Sequence, residues 1–283
     1  MARELCLIHA NCQGEPLLDR LNCCPAFRDR YECRLYTNYV REPIPEADLA
    51  RCALFLYQHL GPTWGELASE SLMAKLPGHA RSLCIPNMFF KGYWPTWSGR
   101  EGFDYRCELL DGYIDAGLSS DEAILLYLRA DLAAKLDLDA LLEGTLRRER
   151  EREAYTPVKY MALIEERFNR EPLFNTVNHP GALLLDHAAR GVLSELGLPE
   201  PDADALAALS DPFPDFEQPV HPSVAAHFGW DFAGPGREYM VYGRKLSFAA
   251  WTAHYVYARQ HGVTDFIGFL LGASDEASQN DAR

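Results

Sequence analysis

The chain has 283 residues, 48% of them hydrophobic, enough material for one large domain or two modest ones with sizeable cores. Its formal net charge of −14, from 41 acidic and 27 basic residues, argues against the broad cationic surface that releases counterions from nucleic acid. No apolar run is long enough to span a bilayer. Met1-Ala2-Arg3 leads straight into a strand pattern without the apolar core of a signal peptide, so a soluble, cytoplasmic protein is expected.

In chain order, four strand-like apolar runs, 4–10, 32–40, 51–57 and 81–85, alternate with polar helical stretches, the βαβ signature of a parallel sheet. Between the last two, residues 63–76 read as a helix, with Thr63 as N-cap and Glu66 completing a capping box. From about residue 119 the pattern turns helical, opening with a second capping box from Ser119 and Glu122. The stretch 141–154 ends in the alternating run from Arg147 to Glu153, which reads as a solvated helix face. Thr156-Pro157 has the form of a cap followed by proline at the first helical position, opening a helix to Arg170. An apolar helix over 182–196 stops at Gly197, and the Pro- and Asp-rich segment 199–222 reads as a long surface connection. The last helix spans about 247–261. The expectation is an α/β fold: a Rossmann-like parallel-sheet part over 1–115 carrying Cys12, and a mostly helical part over 116–283 contributing His179.

All eight cysteines lie between Cys6 and Cys107 and none belongs to a CxxC pair, which suits a reducing compartment. Cys6, Cys52 and Cys84 fall inside apolar runs and read as packing residues. Cys12 is different. Parallel sheets bind ligands beyond the carboxyl ends of their strands, and those ends are Asn11-Cys12-Gln13-Gly14, Gln58-His59 and Asn87. At a strand-to-helix turn, the start of the helix should lower the thiol pKa of Cys12 and activate it as a nucleophile. Gly14 would leave room for a substrate atom, and the N–H groups of Gln13 and Gly14, with the amides of Gln58 or Asn87, would form an oxyanion hole. The plain alternative is that Cys12 only packs beneath the helix start.

Among nine histidines His179 leads as general base, kept neutral if Asn178 or its neighbour caps the helix after Pro180. His59, at the crevice edge, is its rival; His9 reads as core and His187 as part of a helix surface or its packing. The histidines and cysteines lack metal-ligand spacing, and neither a P-loop nor a GxGxxG turn is present. The segment 85–95 concentrates aromatics, with Lys91 and Tyr93 inside it and Arg100 just beyond; such faces beside cations suit an adenine or sugar together with phosphate, and equally suit a packed loop.

At Asn11-Cys12-Gln13-Gly14, at Ile85-Pro86-Asn87 followed by Phe89, Gly92, Tyr93 and Pro95, and at Asn178-His179-Pro180, the sequence resembles the WcbI family of capsular polysaccharide biosynthesis proteins. The resemblance implies an SGNH-like subdomain, bound coenzyme A or acetyl-CoA, and acetylation of a surface polysaccharide or its sugar precursor. It also implies Cys12 as nucleophile where serine is usual and an oxyanion contact from Asn87. The chain departs from the SGNH pattern in lacking a GDS turn and a clear Asp-x-x-His before its C-terminus. Three readings follow: an acyltransferase using acyl-coenzyme A and a carbohydrate acceptor, an SGNH-like carbohydrate esterase, and a non-catalytic module binding coenzyme A or glycan.

Overall fold

The structure, a computed structural model, describes residues 2–272. Residues 273–283 of the expected C-terminal part lie outside the described residues.

The chain divides into two units, each assembled from separate stretches of sequence. Among the described residues the first comprises 2–89, 147–168 and 178–212, and the second 90–146, 169–177 and 213–272. The expected boundary at 115/116 therefore falls inside the second unit. A linear reading divides a chain once, whereas this chain leaves the first unit and returns to it twice.

In the first unit, β1 (Glu4–Ala10), β2 (Tyr31–Thr37), β3 (Cys52–Tyr57) and β4 (Arg81–Cys84) form a parallel sheet in the order β2-β1-β3-β4. Central β1 is buried on both faces from Leu5 onward, as its unbroken apolar run requires. Chain order reverses between β1 and β3, so the loops that follow these two strands part from each other and leave a crevice at their carboxyl ends. The helix Gly14–Asn22 starts directly after β1. A Cβ on Gly14 would meet Leu35 Cδ1 at 2.7 Å and Ala10 Cβ at 2.9 Å. Glycine is needed here for close packing on the sheet; the expected space for a substrate atom is filled by Leu35 and Ala10.

Several local expectations are corrected. Thr63 caps nothing: Gly65, at φ +60°, kinks the 3-10 stretch Pro62–Leu67, and Ala68, at ψ 141°, separates it from a short helix, Ser69–Met73. Thr156 does not open a helix; its hydroxyl donates to the carbonyl of Cys84 at 2.8 Å, and the helix begins only at Met161. Glu153 serves that helix instead, its Oε1 accepting from the N–H groups of Tyr160 and Met161 at 2.6 and 2.7 Å. The segment 199–222 is more than a surface connection, since it contains the helix Ala203–Ala207 and buries Leu206, Phe216, Val220 and His221. The helix Ala182–Leu196 with left-handed Gly197 is formed as read.

The second unit is mainly helical. The helices Glu108–Asp115, Ser120–Leu128 and Phe248–Gln260 enclose a core of Phe103, Leu110, Tyr127, Trp251, Tyr255 and Phe266. Ser119 and Glu122 make the capping box expected from their spacing. Within this unit the carboxylate of Asp111, fully buried, receives Arg106 at 2.6 Å, Arg259 at 2.9 Å, Arg100 at 3.3 Å and the hydroxyl of Tyr255 at 2.8 Å. Among the described residues no helix is long and apolar enough to cross a membrane.

Candidate active site

Because β1 and β3 are neighbours in the sheet, the turn after β1 lies beside Gln58, the residue that follows β3: the N–H of Asn11 donates to Gln58 Oε1 at 2.8 Å. From there a network of amides closes around Cys12. Gln58 Nε2 donates to the carbonyl of Pro86 at 3.1 Å and to Gln13 Oε1 at 3.4 Å, and Asn38 Nδ2 reaches Gln58 Oε1 at 3.5 Å. Gln13 Nε2 donates to the carbonyls of Met88 at 2.7 Å and Asn178 at 2.9 Å, while its Oε1 accepts from the N–H of Met88 at 3.2 Å. Gln13 and Gln58 are buried, so these bonds meet the need of both amides for partners.

This wiring corrects the expected oxyanion hole. The N–H of Gln13 donates to Asn11 Oδ1 at 2.9 Å and that of Gly14 to the Asn11 carbonyl at 2.9 Å, so the fold already uses both. Gln58 is likewise spent on the scaffold. The amide of Asn87 accepts from Asn11 Nδ2 at 3.2 Å through its Oδ1, and its Nδ2 carries no bond to a described residue.

The sulfur of Cys12 is held by Asn178, whose Nδ2 donates to it at 3.3 Å and whose carbonyl lies 3.9 Å away as acceptor for the thiol. Asn178 was legible only as part of a short motif and as a cap for the next helix; that N-cap is Gly181, without a side-chain bond. The thiol pKa also departs from expectation. Burial pushes it up to about 11, outweighing the Cys12 N–H, Asn178 and Gln13 N–H, all of which favour the thiolate. The helix start does act on the sulfur, but desolvation wins, and at neutral pH the group is a thiol.

His179 stands next to Asn178, in the short strand His179–Pro180. Burial holds its pKa at about 4, so the ring is neutral as expected, through desolvation and not through a helix terminus. His9 is core, as read. His187 donates through its Nε2 to the carbonyl of Lys159, 2.6 Å away, and belongs to the packing of its helix.

Next to this network lies a cavity of about 300 Å³ lined by His59, Trp64, Cys84, Asn87, Arg152 and Tyr155, among others. Asn87 belongs both to the amide network and to the cavity wall. His59 stacks on Tyr155 with ring centroids 3.8 Å apart and planes within 7°, which makes it part of an aromatic wall. The Arg41 guanidinium lies 5.0 Å from the centre of the Trp64 ring and that of Arg152 4.9 Å from the centre of Phe89.

The run 147–153 supplies residues that sequence reasoning passed over. Arg147, Arg148, Arg150 and Glu151 are exposed, as a solvated face requires, but Glu149 is 1% exposed. Its Oε2 accepts from the N–H of Phe89 at 3.0 Å and from the Tyr160 hydroxyl at 3.4 Å, and Arg152 Nε lies 3.2 Å from its Oε1. Burial raises this carboxyl to about 7 against the smaller opposing effects of Arg152, the Phe89 N–H and Tyr160. The signal was the stripe Leu142, Thr145, Glu149, Arg152, which continues one helix face at i, i+3, i+7 and i+10.

The expected ligand residues Lys91, Tyr93 and Arg100 belong to the second unit. Tyr93 is 1% exposed, donates to the carbonyl of Glu171 at 3.1 Å and is a core residue. Arg100 engages Asp111, and Lys91 lies 5.9 Å from the centre of the Trp97 ring. Aromatics followed by cations after a strand end suit packing as well as binding, and here the packed-loop alternative describes Tyr93.

The chain matches the family described as polysaccharide biosynthesis enzyme WcbI over residues 5–201. It belongs to the WcbI family. A solved structure of WcbI, described as a novel polysaccharide biosynthesis enzyme and as the native protein without a disulfide bond between coenzyme A and one of its cysteines, aligns over 96% of both chains. The TM-score is 0.76 at 19% identity, a likeness of fold. No curated protein matches the chain. The turn at Cys12, the cavity and Asn178 all lie within the residues that match the WcbI family.

Proposed function

We propose that this WcbI-family enzyme transfers an acyl group, acetyl by preference, from a coenzyme A thioester to a hydroxyl of a polysaccharide or its sugar precursor. The observation that carries the reading is the cysteine held by Asn178 in an amide network that shares Asn87 with a cavity. The WcbI relative, described as the native protein without a disulfide bond between coenzyme A and one of its cysteines, supports coenzyme A as the thiol carrier. We assign Cys12 as the cysteine that meets it here. A cavity of about 300 Å³ takes roughly ten water volumes, room for a planar ring or for the thioester end of the carrier.

With its pKa near 11, Cys12 is suited to orient a thioester as a thiol, in preference to attacking as a standing thiolate. The acceptor hydroxyl then attacks the thioester carbonyl carbon directly. Neutral His179 takes the hydroxyl proton, the carbon–sulfur bond breaks, and the proton passes to the leaving coenzyme A sulfur. Asn87 Nδ2 is the side-chain donor left to stabilise the developing oxyanion.

Turnover of acetyl-CoA with a carbohydrate acceptor, measured beside coenzyme A affinity, tests this. His179→Ala should lose about 10²- to 10⁴-fold in kcat with affinity little changed. Cys12→Ser should keep most of the activity if transfer is direct. His179→Ala at parental turnover would overturn the assignment of the base, and loss of activity in Cys12→Ser comparable to that in His179→Ala would restore an acyl-enzyme.

A further inference from the structure

The cavity has a charge pattern unlike the rest of the chain. In a protein of net charge −14, none of its described lining residues is a carboxylate, and Arg152 supplies a cation. The guanidinium is fixed from two sides, by the face of Phe89 and by the buried carboxylate of Glu149, which meets its Nε. Phe89 is itself fixed, because its N–H donates to the other oxygen of Glu149. One buried carboxylate thus holds both the cation and the aromatic face beneath it.

The terminal N–H groups of Arg152 carry no bond to a described residue, although the side chain is only 38% exposed. A guanidinium presents five N–H donors in a planar fork, and holding it through Nε leaves the fork that grips two oxygens of a phosphate at once. Around it stand flat surfaces, Trp64 and the stacked pair of His59 and Tyr155. Arg41, lying over Trp64, is one of the few non-glycine residues at positive φ, at 56°. That conformation is unfavourable for a side chain with a Cβ and is found where the surroundings impose it, often at ligand sites. Here the turn is tied through Asn38, which bonds the carbonyl of Ala10 and Gln58, into the network around Cys12.

We propose that Arg152 is the phosphate-recognising residue of this cavity, and that the ligand it takes is a nucleotide phosphate whose base stacks on the aromatic wall. The inference rests on reading the cavity as a substrate site, as above, but it does not need acyl transfer. Two substrates offer this chemistry: coenzyme A, through its adenosine phosphates, and a nucleotide-activated sugar serving as acceptor.

Calorimetric titration of the full chain and of Arg152→Gln with coenzyme A, pantetheine and UDP-glucose tests it. Pantetheine has the thiol arm of coenzyme A without phosphate or base, so it also reports whether the variant keeps an intact site. Arg152→Gln should bind at least one phosphate-bearing probe roughly tenfold to a hundredfold more weakly, with pantetheine unaffected. The probe that loses affinity identifies the source of the phosphate, and Arg152→Lys should lose less than Arg152→Gln because charge remains while the fork is gone. If the parent binds coenzyme A and Arg152→Gln binds it and UDP-glucose equally well, the proposal falls while the transferase reading stands. If the parent ignores coenzyme A but binds UDP-glucose through Arg152, the transferase reading falls and the proposal stands. Equal parental affinity for pantetheine and coenzyme A, without binding of UDP-glucose, would also overturn it.

Discussion

Among the described residues, the most deeply buried acidic side chain of each unit, Glu149 in the first and Asp111 in the second, is treated in the opposite way to the other. Burial pushes Asp111 upward, but hydrogen bonds from Arg259, Tyr255 and Arg106 together pull it below the usual carboxylate range. Glu149 has one arginine, one backbone N–H and one weakly placed hydroxyl, and burial leaves it near 7. Partner number decides which effect wins. A carboxylate with three guanidinium groups is a fixed strut of the second unit; one with a single guanidinium beside a cavity sits where small changes alter its charge.

The largest expected effect comes from removing the strut. Asp111→Asn leaves Arg106 and Arg259, both mostly buried, without the charge that compensates them, a change that costs about 3 to 5 kcal/mol. Urea unfolding at pH 7 reads this directly, and a loss below about 1 kcal/mol would show that the arginines find water or other partners instead.

Glu149→Gln should act in the other direction and only in one pH window. The folded-state pKa of about 7 lies above the ordinary glutamate value of 4.5, so between those values the native state holds a proton that the unfolded chain has released. Raising pH removes it, and stability falls by on the order of 3 kcal/mol across that window. His179 and His9, both held near 4 by burial, contribute a rise over roughly pH 4 to 6.5 that opposes this fall. Glu149→Gln should therefore gain on the parent between pH 4.5 and 7; parallel stability curves for the two proteins would sink the account.

The smallest effect applies the same reasoning to thiols. Cys33 accepts a hydrogen bond from Cys6 that outweighs its burial and lowers its pKa, whereas burial raises Cys12. Limited alkylation at pH 8 followed by peptide mapping should label Cys33 ahead of Cys12, against the expectation from helix position alone. Labelling of Cys12 first would mean that the sulfur is better solvated in solution than its surroundings suggest.

The strands were readable because central parallel strands must be apolar without interruption, and 4–10 and 51–57 carry that pattern directly. Cys12 and Asn87 were picked out as candidates because ligands gather at strand ends, a rule that needs only strand boundaries. What each would touch was not readable. Asn11 takes both N–H groups expected to form the oxyanion hole, and Asn178, more than 160 residues along the chain, takes the sulfur; hydrogen bonds at such separations leave no local pattern. Glu149 was hidden by its neighbours, since alternating charges suggest water on every side until the helix face is followed back to Leu142. Lys91, Tyr93 and Arg100 were placed by composition alone, which does not distinguish a ring that stacks on a ligand from one that fills a core.

The reversal of strand order bears on how such an enzyme changes its substrate. The turn 38–41 and the loop 58–67 leave the sheet after strands on opposite sides of β1, and Arg41 and Trp64 lie in segments beyond the strand ladders. Gln13 and Gln58 beside Cys12 are buried, whereas Arg41 and Tyr155 are exposed and Trp64 is half-buried. Exchange of such residues therefore offers a route to new ligands that leaves the sheet intact, so selectivity and chemistry can diverge at separate rates within one fold.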